Sequence, residues 1–153
     1  MNSLIFEELL KKLVKKPGTN NEDDLGFHDN VVIKLIDPTT GEVVEEKTVH
    51  NTWLTYGRNQ VRDALADGGF TAISYMYENS TSTTQPTSND TPANYVAEFE
   101  ATWPAAGAIS GITSFSIRQS AGGSNLASIS ISSLDKPNGL QLTVTWQTTV
   151  NTS

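Results

Sequence analysis

Hydrophobic residues recur with two different periods along this chain, and the change of period separates its first segment from the rest. In residues 3–16 the apolar positions recur three to five residues apart, as they do in an amphipathic helix. Ser3 is placed to cap this helix, and Pro17 and Gly18 end it. A helix this short is marginal in water by itself, so we expect it to pack against another surface.

From residue 30 onward the pattern changes to that of β-strands. Residues 30–36 and 43–49 flank turn-forming residues and predict a hairpin. Residues 57–66 predict one short helix, because Val61, Ala64 and Leu65 have helical spacing. Residues 78–94 are mostly Ser, Thr, Asn, Gln and Pro and predict a long exposed loop. Further strands are predicted over residues 70–77, 95–102, 112–119, 126–132 and 140–150.

These elements predict a mainly β fold, an antiparallel β-sandwich or jelly-roll-like body with one short internal helix and an N-terminal amphipathic helix. The predicted organisation is a helical arm over residues 1–18, an acidic linker over 19–29 and a body over 30–153. In the last strand, Leu142, Val144 and Trp146 alternate with polar residues. One face of that strand is therefore expected in the core, and the other is solvated or shared with a neighbour.

The net charge of −7 argues against a nucleic-acid partner, because phosphate binding requires clustered Lys and Arg. The charge is unevenly distributed. Four lysines and two glutamates give residues 1–16 a net charge of +2, which leaves −9 for the rest of the chain. A basic helix thus precedes an acidic body.

The chain contains no cysteine, which excludes disulfides and thiolate metal sites. Charged residues interrupt its only apolar N-terminal stretch, so neither a signal peptide nor a membrane-spanning segment is expected. We therefore expect a protein made in a cytoplasm, without a membrane partner.

Candidate catalytic groups are sparse. His28 falls in the predicted linker and His50 near a strand end, and no nucleophile motif accompanies either. Glu98 and Glu100 could pair as the carboxyls of a glycosidase, but residues on the outer face of a strand explain them better. The acidic residues near Asp23 lack calcium-loop spacing. The sequence therefore predicts no enzyme, no metal and no cofactor.

Residues 49–65 resemble a pattern found in many tailed-bacteriophage virion proteins. There a strand ends in a pair such as His50-Asn51, and Thr and Gly-Arg, here Gly57-Arg58, open a short helix. The later acidic segment of residues 88–92 and the closing strand of residues 140–150 also look like their counterparts in such proteins. The resemblance covers about residues 43–150.

This resemblance implies a virion structural protein without catalytic residues, and a small acidic body with a separate helix favours a capsid decoration (cement) protein. Its partners would be the major capsid protein or other virion proteins, and it would form a homo-oligomer, with a trimer favoured. The helical arm would fasten neighbouring subunits through residues that are either apolar anchors or lysines facing acidic partners: Leu4, Ile5, Leu9, Leu10, Lys11, Lys12, Leu13, Lys15 and Lys16.

Other interpretations stay open from the sequence. The helix could instead cap its own body, and the protein could belong to the tail, neck or fibre of a particle. A carbohydrate-binding module is a further possibility, since Tyr75, Tyr77 and Tyr95 could stack against sugar rings, although alternating aromatic residues usually belong to the core.

Overall fold

A computed structural model describes residues 27–67, 71–79, 84–93 and 95–150 of the chain. These residues form one α-helix, α1 (Thr55–Asp67), and nine β-strands. In chain order the strands are β1 (Phe27–Ile36), β2 (Val43–Thr52), β3 (Tyr75–Glu78), β4 (Thr84–Pro86), β5 (Ser88–Ala93), β6 (Val96–Trp103), β7 (Ile109–Arg118), β8 (Ala127–Lys136) and β9 (Gln141–Val150). The prediction of a mainly β, antiparallel fold with one short internal helix is confirmed.

The predicted hairpin is formed by β1 and β2, and local turn chemistry closes it. Asp37 accepts a hydrogen bond on its side chain from the backbone N–H of Thr39, at 2.8 Å. Its carbonyl accepts another from the N–H of Gly41, also at 2.8 Å. Gly41 has a φ of 75°, which glycine adopts without steric cost. The turn residues thus hold the two strands in register.

The first sheet has five antiparallel strands in the order β2-β1-β9-β6-β5. Burial alternates along its central strands, as the period of a strand requires. Val31, Ile33 and Leu35 of β1 are buried, and Val144 and Trp146 of β9 are fully enclosed. The inner face of this sheet is therefore apolar, while its outer face carries the intervening polar residues.

The second sheet has four antiparallel strands in the order β4-β3-β7-β8. The register between β7 and β8 shifts twice near Gly111, whose φ is 67°. Asp135 bonds the freed N–H of Gly111 through its carboxylate, at 2.7 Å, and the amide oxygen of Asn79 bonds the N–H of Thr113 at the same distance. Side chains thus form hydrogen bonds with backbone N–H groups where the pairing of β7 with β8 is irregular.

Residues of both sheets and of α1 belong to one hydrophobic core. Trp103 of the first sheet meets Phe115 of the second edge to face, with ring centroids 5.6 Å apart. Val61 and Ala64 of α1 are buried as well, which is the face that their helical spacing predicted. Trp53 and Trp146 are buried as well, so tryptophans contribute to the core from both β9 and the segment before α1.

Two predictions about where strands lie are wrong. The predicted exposed loop of residues 78–94 contains the edge strands β4 and β5, because pairing with β3 and β6 overrides their low intrinsic strand propensity. Strand β1 begins at Phe27, so His28 and Asp29 belong to the sheet rather than to a linker.

The predicted helix over residues 3–16 lies outside the described residues. No helix within the described ranges is long and apolar enough to cross a bilayer.

Candidate functional site

The outer face of the five-stranded sheet carries mostly polar side chains, and we call it the polar face. The strand registers arrange its side chains in rows that cross the sheet. One row runs from β2 to β5 through His50, Asn30, Gln147, Glu98 and Asp90. The next row contains Thr48, Val32, Thr145, Glu100 and Ser88.

Neighbours hold the carboxylates of this face in place. The amide of Gln147 donates to Glu98 at 2.7 Å, and the hydroxyl of Thr145 donates to Glu100 at 3.1 Å. Glu98 and Glu100 are half-buried, whereas Asp90 is exposed. The prediction that Glu98 and Glu100 lie on an outer strand face is confirmed. Neighbouring side chains thus order both carboxylates on the face of the sheet.

The opposite part of the polar face is mixed in charge. Lys34 on β1 pairs with Glu46 on β2 at 3.8 Å, and both side chains are more than a third exposed. His28 and His50 are exposed. Among the described residues, no group of three or more His, Asp or Glu side chains could hold a metal ion. The polar face thus presents hydrogen-bonding groups and charges of both signs.

The three tyrosines of the possible sugar platform do not share one face. Tyr75 and Tyr77 lie on the same face of β3, and the guanidinium of Arg118 lies 3.6 Å from the centroid of the Tyr77 ring. Tyr77 is consequently only 9% exposed. Tyr95 lies just before β6 of the other sheet, where its ring packs against the core. Tyr75 is half-buried.

A buried carboxylate, missed as such by the sequence analysis, lies under the polar face. Asp29 is 3% exposed and accepts hydrogen bonds from the hydroxyl of Thr148 at 2.7 Å and from the indole N–H of Trp53 at 3.1 Å. Its other oxygen has no hydrogen-bond partner within the described part of the chain. The residue ties together β1, β9 and the segment that leads into α1.

Burial has the largest effect on the pKa of this carboxylate. It raises the pKa of Asp29 to about 6, while the donors of Thr148, Trp146 and Trp53 oppose the rise. The indole N–H of Trp146 forms no regular hydrogen bond with any described residue, so its effect is that of a nearby dipole. Asp29 thus titrates closer to neutral pH than an exposed aspartate does.

A buried lysine binds the segment between β6 and β7. Lys136 is 1% exposed, and its ammonium donates to the carbonyl of Gly107 at 2.6 Å and to that of Ala105 at 3.4 Å. Burial lowers the pKa of Lys136. Asn138 bonds the N–H of Gly107 at 2.9 Å. Because these contacts hold the segment between β6 and β7, Lys136 serves the fold.

The anchors and lysines predicted for the helical arm, from Leu4 to Lys16, lie outside the described residues. Comparisons with protein-family models, with curated proteins and with solved structures found no match for this chain.

Proposed function

We propose that this protein is a structural component of a tailed-bacteriophage particle, and within that class a capsid decoration (cement) protein that acts by binding rather than by catalysis. The observation that carries the proposal is the polar face, a five-stranded surface whose carboxylates are already held by neighbouring side chains. The sequence resemblance to virion proteins supplies the class of partner.

An ordered polar surface favours stable attachment. Because Gln147 and Thr145 already restrict Glu98 and Glu100, a partner that binds there orders fewer side chains on contact. The acidic residues Asp90, Glu98 and Glu100 lie toward one side of the face, which favours a partner surface rich in Lys or Arg. A capsid subunit or a neighbouring virion protein would supply that surface.

The finer architecture is part of the same proposal. The two sheets pack as a sandwich, residues 3–16 form an amphipathic helix, and copies assemble as a homo-oligomer on the particle. The ten residues from 17 to 26 span at most about 33–36 Å, which lets the helix reach a neighbouring subunit. Burial of about 500 Å² of apolar helix surface would contribute roughly 12 kcal/mol before association costs of about 4–15 kcal/mol. Several linked copies would therefore be needed for firm attachment.

The helical arm provides the most direct test of attachment. We expect the double variant Leu9→Asp plus Leu13→Asp to lose binding to particles while the body stays folded, because two charges would enter the apolar face of the helix. Co-sedimentation with phage particles assembled without this protein measures the binding, and circular dichroism checks the fold.

A matched control introduces two aspartates on the body instead, at the exposed residues Ala106 and Ala108. This control should bind particles as the natural chain does. Equal binding by the Leu9/Leu13 variant would disprove the role of the arm. Immunogold labelling on the tail, neck or fibres, rather than over the head, would reassign the protein to that part of the particle.

Carbohydrate binding is the second candidate, and Tyr75 is the residue that favours it. Tyr75 is half-buried beside Arg118, the neighbour opposite it on β7, and an aromatic ring next to a guanidinium can contact a sugar. If this function is correct, the natural chain binds glycans on an array and Tyr75→Ala loses that binding. An array without signal would count against it.

A further inference from the structure

Strand β2 forms an unusually open edge of the five-stranded sheet. Among the described strands it pairs with β1 alone. An irregularity at Val43 and Val44 bounds its regular part, and these two side chains are 42% and 57% exposed. The stretch from residue 45 to residue 51 is regularly paired on its inner side, so it presents a straight row of backbone groups on its outer side.

The other sheet edges are protected. Strands β4 and β5 are short, and they contain Pro86 and Pro92, which cannot donate to an added strand. Strand β8 is shielded by neighbouring residues. The amide of Asn51 bonds the carbonyl of Ser128, the N–H of Leu54 bonds that of Leu126, and Lys47 reaches the hydroxyl of Ser132. Two of these contacts use side chains on the inner face of β2, whereas its outer backbone edge pairs with no described strand and stays available for pairing.

We propose that β2 pairs with β2 of a second copy of this chain, antiparallel and across a two-fold axis centred on Thr48. The regular pairing with β1 runs from residue 45 to residue 52, and an axis through Thr48 pairs residues 45–51 of this stretch with those of the second copy. Both five-stranded sheets then join into one continuous sheet. The contact links two copies and involves only the folded body, so it holds whether or not the protein belongs to a virion.

Charge selects this register over its neighbours. Opposed residues of an antiparallel pair share a face, so the axis must pass through a residue that meets its own copy. An axis through Glu46 or Lys47 would oppose two like charges. An axis through Thr48 instead places Glu46 opposite His50 of the second copy, twice in each dimer, and Lys47 opposite Val49. No like-charged pair forms within the stretch. An axis through Val49 also avoids like charges, but it places His50 opposite Thr48 and forms no Glu–His pair.

A charge exchange tests both the surface and the register. We expect sedimentation equilibrium of the full chain to show a reversible dimer whose dissociation constant rises at least about tenfold in His50→Glu, because two Glu–Glu pairs replace two Glu–His pairs. The double variant Glu46→Lys plus His50→Glu should recover the dimer, since each Lys then meets a Glu. Within one copy these positions are four residues apart on a strand, about 13 Å, too far to compensate each other directly.

The control is Ser110→Glu, a new charge at an exposed position of β7 away from β2, which should leave the dimer unchanged. Circular dichroism confirms that each variant folds. A chain that stays monomeric up to sub-millimolar concentration would overturn the inference. So would an oligomer that His50→Glu leaves intact, or a double variant that fails to restore association. The particle-labelling result does not depend on these outcomes, so the proposed function and the dimer are tested separately.

Discussion

The variant Asp29→Asn should become progressively more stable relative to the natural chain as the pH rises from 4 to 8. The expected change in the difference of unfolding free energies is at most about 3 kcal/mol. It arises because Asp29 is buried with only one of its two oxygens hydrogen-bonded to described residues, and because burial raises its pKa from 3.8 to about 6.

The sign follows from proton linkage. The folded state holds the proton on Asp29 more tightly than the unfolded state does, so protonation stabilises the fold below the unfolded pKa. That stabilisation is lost as the pH rises through about 6, where the folded carboxyl ionises in its buried position. Asparagine keeps an oxygen that can accept from Thr148 and Trp53 but cannot ionise. The variant Asp29→Asn therefore does not undergo this loss of stability as the pH rises.

Urea denaturation at several pH values measures this difference, and the contributions of all other carboxylates cancel between the two proteins. Asp63→Asn is the matched control, because Asp63 lies on the exposed side of α1 with about half of its side chain accessible. Its difference from the natural chain should change little with pH. A flat difference for Asp29→Asn as well would show that Asp29 titrates at its ordinary pKa.

The variant Gly57→Ala should lower the unfolding free energy by about 2–3 kcal/mol. Alanine normally stabilises a helix by about 1 kcal/mol relative to glycine, so the expected sign is opposite to that of helix propensity. A Cβ at Gly57 would overlap the carbonyl oxygen of Leu126 and would lie 2.8 Å from Cε3 of Trp53. The carbonyl cannot easily retreat, because it accepts a hydrogen bond from the N–H of Leu54 at 3.1 Å.

Thermal denaturation should place the midpoint of Gly57→Ala about 5–10 °C below that of the natural chain. Gly122→Ala provides the comparison, because an added Cβ there meets no atom within 4 Å. That variant should unfold within about 0.5 kcal/mol of the natural chain. A stabilised Gly57→Ala would mean that α1 packs less closely on the second sheet than the structure shows.

Sequence periodicity was most reliable where one face of an element is buried. The alternation in β9 correctly predicted the core positions Leu142, Val144 and Trp146, and the spacing of Val61 and Ala64 identified the buried face of α1. These predictions succeed because burial of one face imposes a repeat on the sequence itself.

The sequence contains an ambiguous signal for the burial of Asp29, namely an alternating pattern that the acidic residues before it obscure. Phe27, Asp29 and Val31 continue the period of two that Ile33 and Leu35 complete, which places Asp29 on the inner face of β1. Its acidic neighbours in the sequence suggested a solvated linker instead. A charged residue at an alternating position is ambiguous in the sequence, because only its partners show whether burial is tolerated.

The sequence alone determined a mainly β chain with one internal helix, the hairpin of β1 and β2, and the inner and outer faces of the last strand. Only the tertiary structure decided that β4 and β5 are strands, that Asp29 and Lys136 are buried, and that β2 has an open edge. Local patterns record the burial of a residue's own side chain. Pairing across a sheet and hydrogen bonds to distant residues, such as that from Lys136 to Gly107, depend on neighbours that the chain brings together only when it folds.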